Sequence, residues 1–184
     1  SERNGETLRE ALVDCVEESE RILIMLNTLM DVSEAETGAM KLNPERINVA
    51  PLIEDIVELY DYVAEEKGVT VKTGLTEEIY LNADRGRLRQ VLANLLDNAI
   101  KYTPSGGSID IEAVRAQDEV KITVKDTGVG ISDQELDNIW DRLYRGDKSR
   151  TQRGLGLGLS LVKAVVGAHR GYVEVLSSPG SGSV

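Results

Sequence analysis

Phenylalanine is absent from this 184-residue chain, and aromatic residues make up only 4% of it. Its core must therefore be filled by Leu, Ile and Val. There is a single cysteine, Cys15, which excludes an internal disulfide and leaves no thiolate cluster for a metal. Cations are scarce: 21 Lys and Arg against 32 Asp and Glu give a formal net charge of -11. Nucleic acid and anionic membranes are gripped by clustered Lys and Arg, so neither is an expected partner, and any anion site must be local. No apolar run has the length of a membrane span, and no export signal is visible. Together with the cysteine usage, this leads us to expect a cytoplasmic domain. What remains is 41% apolar content, enough for a packed core in one ordinary domain or in a compact domain with an appendage.

The appendage comes first. In "GETLREALVDCVEESERILIMLNTLMDVSEAETG" the positions Leu8, Leu12, Cys15, Ser19, Ile22, Leu26, Leu29 and Ser33 step by four and three residues between charged ones. That is a heptad seam. It predicts one helix from about Gly5 to about Thr37, stopped by Gly38 and roughly 50 Å long at 1.5 Å per residue. Such a seam is buried either on its own domain or, as its length and narrowness favour, in a helical hairpin or dimer.

"MKLNPERIN" reads as a connector. A second, shorter helix follows in "VAPLIEDIVELYDYVAEEKG", with Pro51 tolerated in its first turn and Gly68 as its stop. "VTVKTG" and "IYLNA" read as strands. A third helix starts at the N-cap Asp84 and buries Leu88, Val91, Leu92, Leu95, Leu96, Ala99 and Ile100. On its other side Gln90, Asn94, Asn98 and Lys101 form a polar stripe that faces either solvent or a ligand.

"SIDIEAVRAQDEVKITVKD" has the alternation of a hairpin, and its second strand leads Asp126 into "TGVGI". A carboxylate at a strand end, followed by Gly128 and Gly130, is either an ordinary turn or the back of a pocket in which backbone approaches a flat ligand closely. Ser132 and Glu135 have the spacing of a capping box. In "RGLGLGLSLVKAVVGAHRGYVEV" the glycines Gly154, Gly156 and Gly158 open a helix, where exposed N–H groups and the dipole favour phosphate, and a strand is expected after it. The spacing is neither a dinucleotide fingerprint nor a P-loop.

"LLDNAIKYTP", "DTGVGIS", "IWDRLYR" and "RGLGLGLSLVKAVVGAHRG" occur in the order and spacing of the N box, first glycine box, F box and second glycine box of sensor histidine kinases. The chain thus resembles the catalytic, ATP-binding domain of such a kinase, of the GHKL superfamily. "LMDVSEAETGAMKL" resembles the end of the second helix of the dimerisation and phosphotransfer hairpin. The resemblance implies an α+β fold, a two-layer α/β sandwich whose mixed sheet is backed by helices. Residues 1–42 would be the partial hairpin region and 43–184 the catalytic domain, without its last strand.

The roles implied are specific. Asn98 would offer an oxygen to Mg2+ bound through ATP phosphates, Lys101 would approach those phosphates, and Tyr102 would flank the nucleotide. Asp126 would accept from the adenine amino group, with Gly128, Gly130 and Ile131 shaping the pocket. Gly154, Gly156 and Gly158, with the amides of Leu155 and Leu157, would hinge a lid. Arg145 is a candidate second phosphate contact, and Lys148 and Arg150 fall in that lid or in a solvated basic loop. Asn94 stands beside the nucleotide where the superfamily's hydrolases carry a water-orienting glutamate. An amide is a poor base, so slow hydrolysis is expected, with transfer to a histidine and thence to an aspartate on a response regulator. The alternatives are a GHKL hydrolase and a dimerisation module with a vestigial nucleotide site.

Three departures stand out. The F box has Trp140 and Leu143 where two phenylalanines are usual. Ser183 matches a small hydroxyl residue that assists adenine recognition, yet "PGSGSV" stops before the closing strand, which would leave Ser183 unsupported and a sheet edge uncovered. No phosphoacceptor box is present, and the only histidine, His169, occupies a position that is structural in the family. The implied parent forms homodimers through the first helix and is membrane-anchored, while this chain has no membrane contact of its own.

Overall fold

A computed structural model describes residues 2–75, 78–117, 119–146 and 155–184. Helix α1 (Glu2–Glu36) is followed by β1 (Glu45–Asn48), α2 (Val49–Lys67), β2 (Thr70–Gly74), β3 (Tyr80–Ala83) and α3 (Arg85–Tyr102). The chain then builds β4 (Ser108–Ala116), β5 (Glu119–Asp126), the one-turn α4 (Asp133–Leu136) and α5 (Gly158–Ala168). The α+β architecture expected from the sequence is present. β2 runs parallel to β4, and β4 antiparallel to β5, in a mixed three-stranded sheet of order β2-β4-β5.

Local chemistry sets the helix ends. Asn48 caps α2 by accepting from Ala50 N, and Gly68 closes it in the left-handed region at φ 70°. Asp84 caps α3 by accepting from Arg87 N at 3.0 Å. The apolar faces of the two helices, including Leu52, Ile53, Ile56, Leu92, Leu96 and Ile100, meet the inward row Ile109, Ile111 and Ala113 of β4. Burying each such Leu or Ile is worth about 1.5–3 kcal/mol, so this two-layer core is what fixes α3 over the sheet.

Two expectations about strands need correction. The connector "MKLNPERIN" contains β1, which pairs antiparallel with β3 in the register Ile47↔Leu81. Only Ile47 of that strand is fully buried, too little alternation for a period-two signal. Conversely, the strand expected after α5 forms no ladder among the described residues. Val173 and Val175 turn partly inward while Tyr172, Glu174 and Leu176 face out, so the alternation is real but the backbone partner is not there. Pairing begins only with the Leu176 and Val184 amides, which exchange hydrogen bonds of 2.9 and 2.8 Å.

Helix α1 ends as expected, with Gly38 at φ 71°. Its last turns belong to a second apolar cluster, in which Val32 packs with Val91, Leu161, Val162 and Val165, and Met40 against them. Asp31 adds an ion pair to Arg87 at 2.7 Å and accepts from Gln90 Nε2 at 3.1 Å. Glu36 pairs with Arg142. At 3.6 residues per turn, half-buried Met25, Thr28 and Ala35 share the side of Val32. Leu12, Val16, Leu23, Leu26 and Met30 lie on the opposite side, each more than half exposed. Of the expected seam, Cys15, Ser19, Ile22 and Ser33 are also exposed, and Leu29 is half-buried.

Candidate functional site

α3 places Asn94 and Asn98 beside the start of α5 and carries Lys101 and Tyr102 in its last turn. The polar stripe of Gln90, Asn94, Asn98 and Lys101 is half-buried along its length. Gln90 is tied to α1 through Asp31, and Asn94 donates Nδ2 to Gln90 O at 2.8 Å. Gly158, the first residue of α5, lies so close to α3 that a Cβ there would come within 2.8 Å of Asn94 Oδ1 and 3.6 Å of Asn98 Nδ2. The N-terminus of α5 thus opens beside Asn98, with Leu157 as its N-cap and 3% exposed. Lys101 lies with its Nζ 5.1 Å from the centre of the Tyr102 ring.

β5 brings Asp126 to the same end of the fold. Its carboxylate Oδ1 accepts from Gly128 N at 2.7 Å and from Ser183 N at 3.2 Å, while Oδ2 receives neither bond. Burial pushes this carboxyl above the ordinary carboxylate range, and the Gly128 and Ser183 donors pull in the other direction. The glycines after it are there for close approach. A Cβ on Gly128 would sit 2.7 Å from Tyr102 O, and one on Gly130, at φ 67°, would lie 1.9 Å from Ser178 O. Tyr102 O accepts from Val129 N at 3.2 Å, so the end of α3 and the glycine turn are bonded to each other.

Ser183 is held, contrary to the expectation that it would lack support. Its carbonyl accepts from Asp126 N at 2.8 Å, and its hydroxyl lies 3.0 Å from Ser177 Oγ. Ser177 Oγ also accepts from Ile131 N at 2.8 Å and donates to Gly182 O at 2.7 Å, which ties Ile131 to the same turn. Beyond that single bridge, β5 pairs only with β4 among the described residues, so the uncovered edge is present from Glu119 to Lys125.

Gly156, at φ 68°, accepts from Leu143 N at 2.9 Å through its carbonyl, which joins the second glycine-rich stretch to the segment carrying Trp140 and Leu143. Leu155 and Arg145 are half-buried at the two ends of the undescribed stretch. Gly154, Lys148 and Arg150 lie outside the described residues. The capping box expected at Ser132 is present, with Ser132 Oγ donating to Glu135 Oε2 at 2.6 Å. A groove of about 630 Å3 lies elsewhere, between the end of α1, the Trp140 segment and α5, and none of the expected site residues lines it.

His169 is structural in this fold. Its Nε2 accepts from Asp84 N at 3.0 Å and its Nδ1 lies 2.8 Å from Val165 O, so the bonds assign the neutral tautomer with the proton on Nδ1. Sequence reasoning overlooked Gly182, where a Cβ would fall 1.9 Å from Asp126 O, and Lys67, which donates to the end of α3. Lys67 had a signal, a cation in the last turn before a C-cap glycine; Gly182 had none beyond its place in a glycine-serine turn.

Residues 83–184 match the family described as "Histidine kinase-, DNA gyrase B-, and HSP90-like ATPase". The chain is 37% identical over 161 residues to the adaptive-response sensory kinase SasA of Synechococcus elongatus, covering 86% of this chain and 42% of that protein. It is 31% identical over 170 residues to the sensor histidine kinase WalK of Bacillus subtilis, covering 90% of this chain and 28% of that protein. Among solved structures, full-length ShkA in complex with AMPPNP superposes with a TM-score of 0.80 at 27% identity, over 91% of this chain and 35% of that one. The chain therefore spans less than half the length of each of these relatives.

Proposed function

The chain belongs to the family of histidine kinase-, DNA gyrase B- and HSP90-like ATPases, and from that premise we propose that it is the ATP-binding catalytic domain of a sensor histidine kinase. Residues 43–184 form that domain in this reading, and residues 1–42 the second helix of the dimerisation and phosphotransfer hairpin. One observation carries the proposal: Asp126, oriented by two backbone donors on one oxygen, shares an end of the fold with Asn98, Lys101 and the N-terminus of α5. One end of that arrangement suits a base edge, the other a run of phosphates.

In this reading Asp126 accepts from the adenine amino group through Oδ2, while Gly128, Gly130 and Ile131 shape the walls and Ser183 supports the carboxylate. Tyr102 flanks the nucleotide. Lys101, Arg145 and the amides at Leu155 to Gly158 bind phosphate oxygens. The residues fit a metal that arrives with its substrate. No group of three or more His, Cys, Asp or Glu is arranged to hold an ion among the described residues, and Asn98 supplies one neutral amide oxygen. Bound there, Mg2+ neutralises charge on the phosphates. Asn94 lacks a basic atom, and its Nδ2 is spent on Gln90 O, so it does not prepare water for attack. That favours transfer of the γ-phosphoryl to a histidine of the parent protein, and then to a response-regulator aspartate.

The exposed side of α1 is the proposed homodimer surface. No described helix is long and apolar enough to cross a membrane.

The test is calorimetric titration with a non-hydrolysable ATP analogue, with and without Mg2+. Saturable binding that disappears in Asp126→Asn and loses its Mg2+ dependence in Asn98→Ala is expected. Absence of saturable binding by the wild-type chain would overturn the proposal.

A further inference from the structure

A helix end leaves four carbonyls without intrahelical partners. At the end of α3 all four are answered, by three donors from different places. Ala99 O accepts from Thr103 N at 3.1 Å, as an ordinary C-cap, and Tyr102 O accepts from Val129 N of the glycine turn. The two between them, Ile100 O and Lys101 O, accept from one ammonium group, Lys67 Nζ, at 2.6 and 2.5 Å. Lys67 comes from the last turn of α2, and the next residue, Gly68, accepts from Gly106 N at 2.7 Å through its carbonyl. The end of α2 is thus a bracket around residues 100–106.

This bracket is charged as well as bonded. Desolvation and the neighbouring Lys101 hold the Lys67 ammonium below its ordinary range, against the opposing pull of Asp97. Asp97, one turn before Lys101, is pushed up by partial desolvation and drawn down by Lys101 and Lys67. The two lysines and the carboxylate therefore sense one another. A cation at a helix C-terminus also complements the dipole.

We infer that Lys67 is a positioning residue of the nucleotide site. By holding the carbonyls of Ile100 and Lys101, it fixes the last turn of α3, and with it the directions of the Asn98 and Lys101 side chains and of the Tyr102 carbonyl that anchors the glycine turn. Lys67 itself touches no nucleotide atom in this scheme. The inference rests on the nucleotide site proposed above.

The experiment titrates the whole chain and its Lys67→Met and Lys67→Arg variants with a non-hydrolysable ATP analogue, and follows amide hydrogen exchange at Thr103 and Val129 in the same proteins. Lys67→Met is expected to weaken binding about ten-fold or more, in line with the worth of hydrogen bonds from a charged donor, and to speed exchange at both amides. Lys67→Arg, which keeps charge and donors, is expected to restore most of the affinity. Binding by Lys67→Met within about two-fold of wild type, where wild type saturates, would overturn the inference. So would equal losses in the Met and Arg variants. If wild type shows no saturable binding, the nucleotide reading itself has failed. Exchange at Val129 then decides the bracket alone: unchanged protection in Lys67→Met removes it, and faster exchange retains it.

Discussion

Asp126 and Ser183 hold each other twice: the amide of Asp126 donates to Ser183 O at 2.8 Å, and the amide of Ser183 donates to Asp126 Oδ1 at 3.2 Å. The second bond turns a backbone bridge into a mount for a side chain, because with the Gly128 amide it fixes Oδ1 of the carboxylate.

That mount has a pH signature. Burial raises the native pKa of Asp126 above its unfolded value, so the native state holds the proton more tightly. The stability this group contributes is fully present below the ordinary carboxylate pKa, about 4, and is lost as pH rises through the raised native value. Asp126→Asn keeps an acceptor for Gly128 and Ser183 but cannot ionise. It should be no less stable than wild type at pH 7, with a shallower fall in stability above pH about 4, although nucleotide binding is gone. Urea unfolding of both proteins across that range measures it, and a variant clearly weaker than wild type at pH 7 would contradict the assignment.

Thr103 is completely buried at the end of α3, and its Oγ1 is a buried polar atom with no hydrogen-bond partner. Its backbone is extended, at φ -87° and ψ 124°, a conformation that suits a β-branched residue. Thr103→Val removes the orphaned hydroxyl at equal shape and should raise stability by about 1 kcal/mol, the low end of the cost of an unsatisfied buried group. Thermal and urea unfolding read it directly. A loss of stability would mean that the hydroxyl has a bridging water.

The outer side of α1 should drive self-association. Leu23→Glu combined with Leu26→Glu places two charges on that surface, far from the contacts of Val32. Sedimentation should show the double variant losing association while its nucleotide affinity stays within about two-fold of wild type. A wild-type chain that stays monomeric across a wide concentration range would refute the proposed dimer surface.

His169 should act as a bracket between α5 and the start of α3. His169→Ala strips Asp84 N of its acceptor and should cost about 1–3 kcal/mol of stability. Incubation with γ-labelled ATP should leave no phosphate on this histidine. Acid-labile label that vanishes in His169→Gln would show the opposite.

What could be read in advance followed the physics of each element. α2 and α3 carried both their period and their caps, so their bounds emerged within a residue or two. β1 did not, because a strand that fully buries only Ile47 has no pattern to recognise. Val173 and Val175 did alternate with exposed neighbours, yet a ladder depends on a partner strand far away in the chain, and alternation says nothing about that. The site behaved similarly. Asp126 and Gly130 were visible because a carboxylate and glycines at a strand end are rare outside turns and pockets. Lys67 was visible only as a helix cap, since its use by another helix is a fact of packing.

The opposed faces of α1 separate two kinds of change. Val32, Asp31 and Glu36 are committed to the catalytic body, and a substitution there is felt at α3 and α5. Leu12, Val16, Leu23 and Leu26 are each more than half exposed on the other side. Drift along this outer row can therefore alter which helix a chain accepts as its mate while the chemistry stays as it was. Two closely related copies in one cell could be insulated from mixed pairing by a handful of such changes, with every contact around Asp126 left intact.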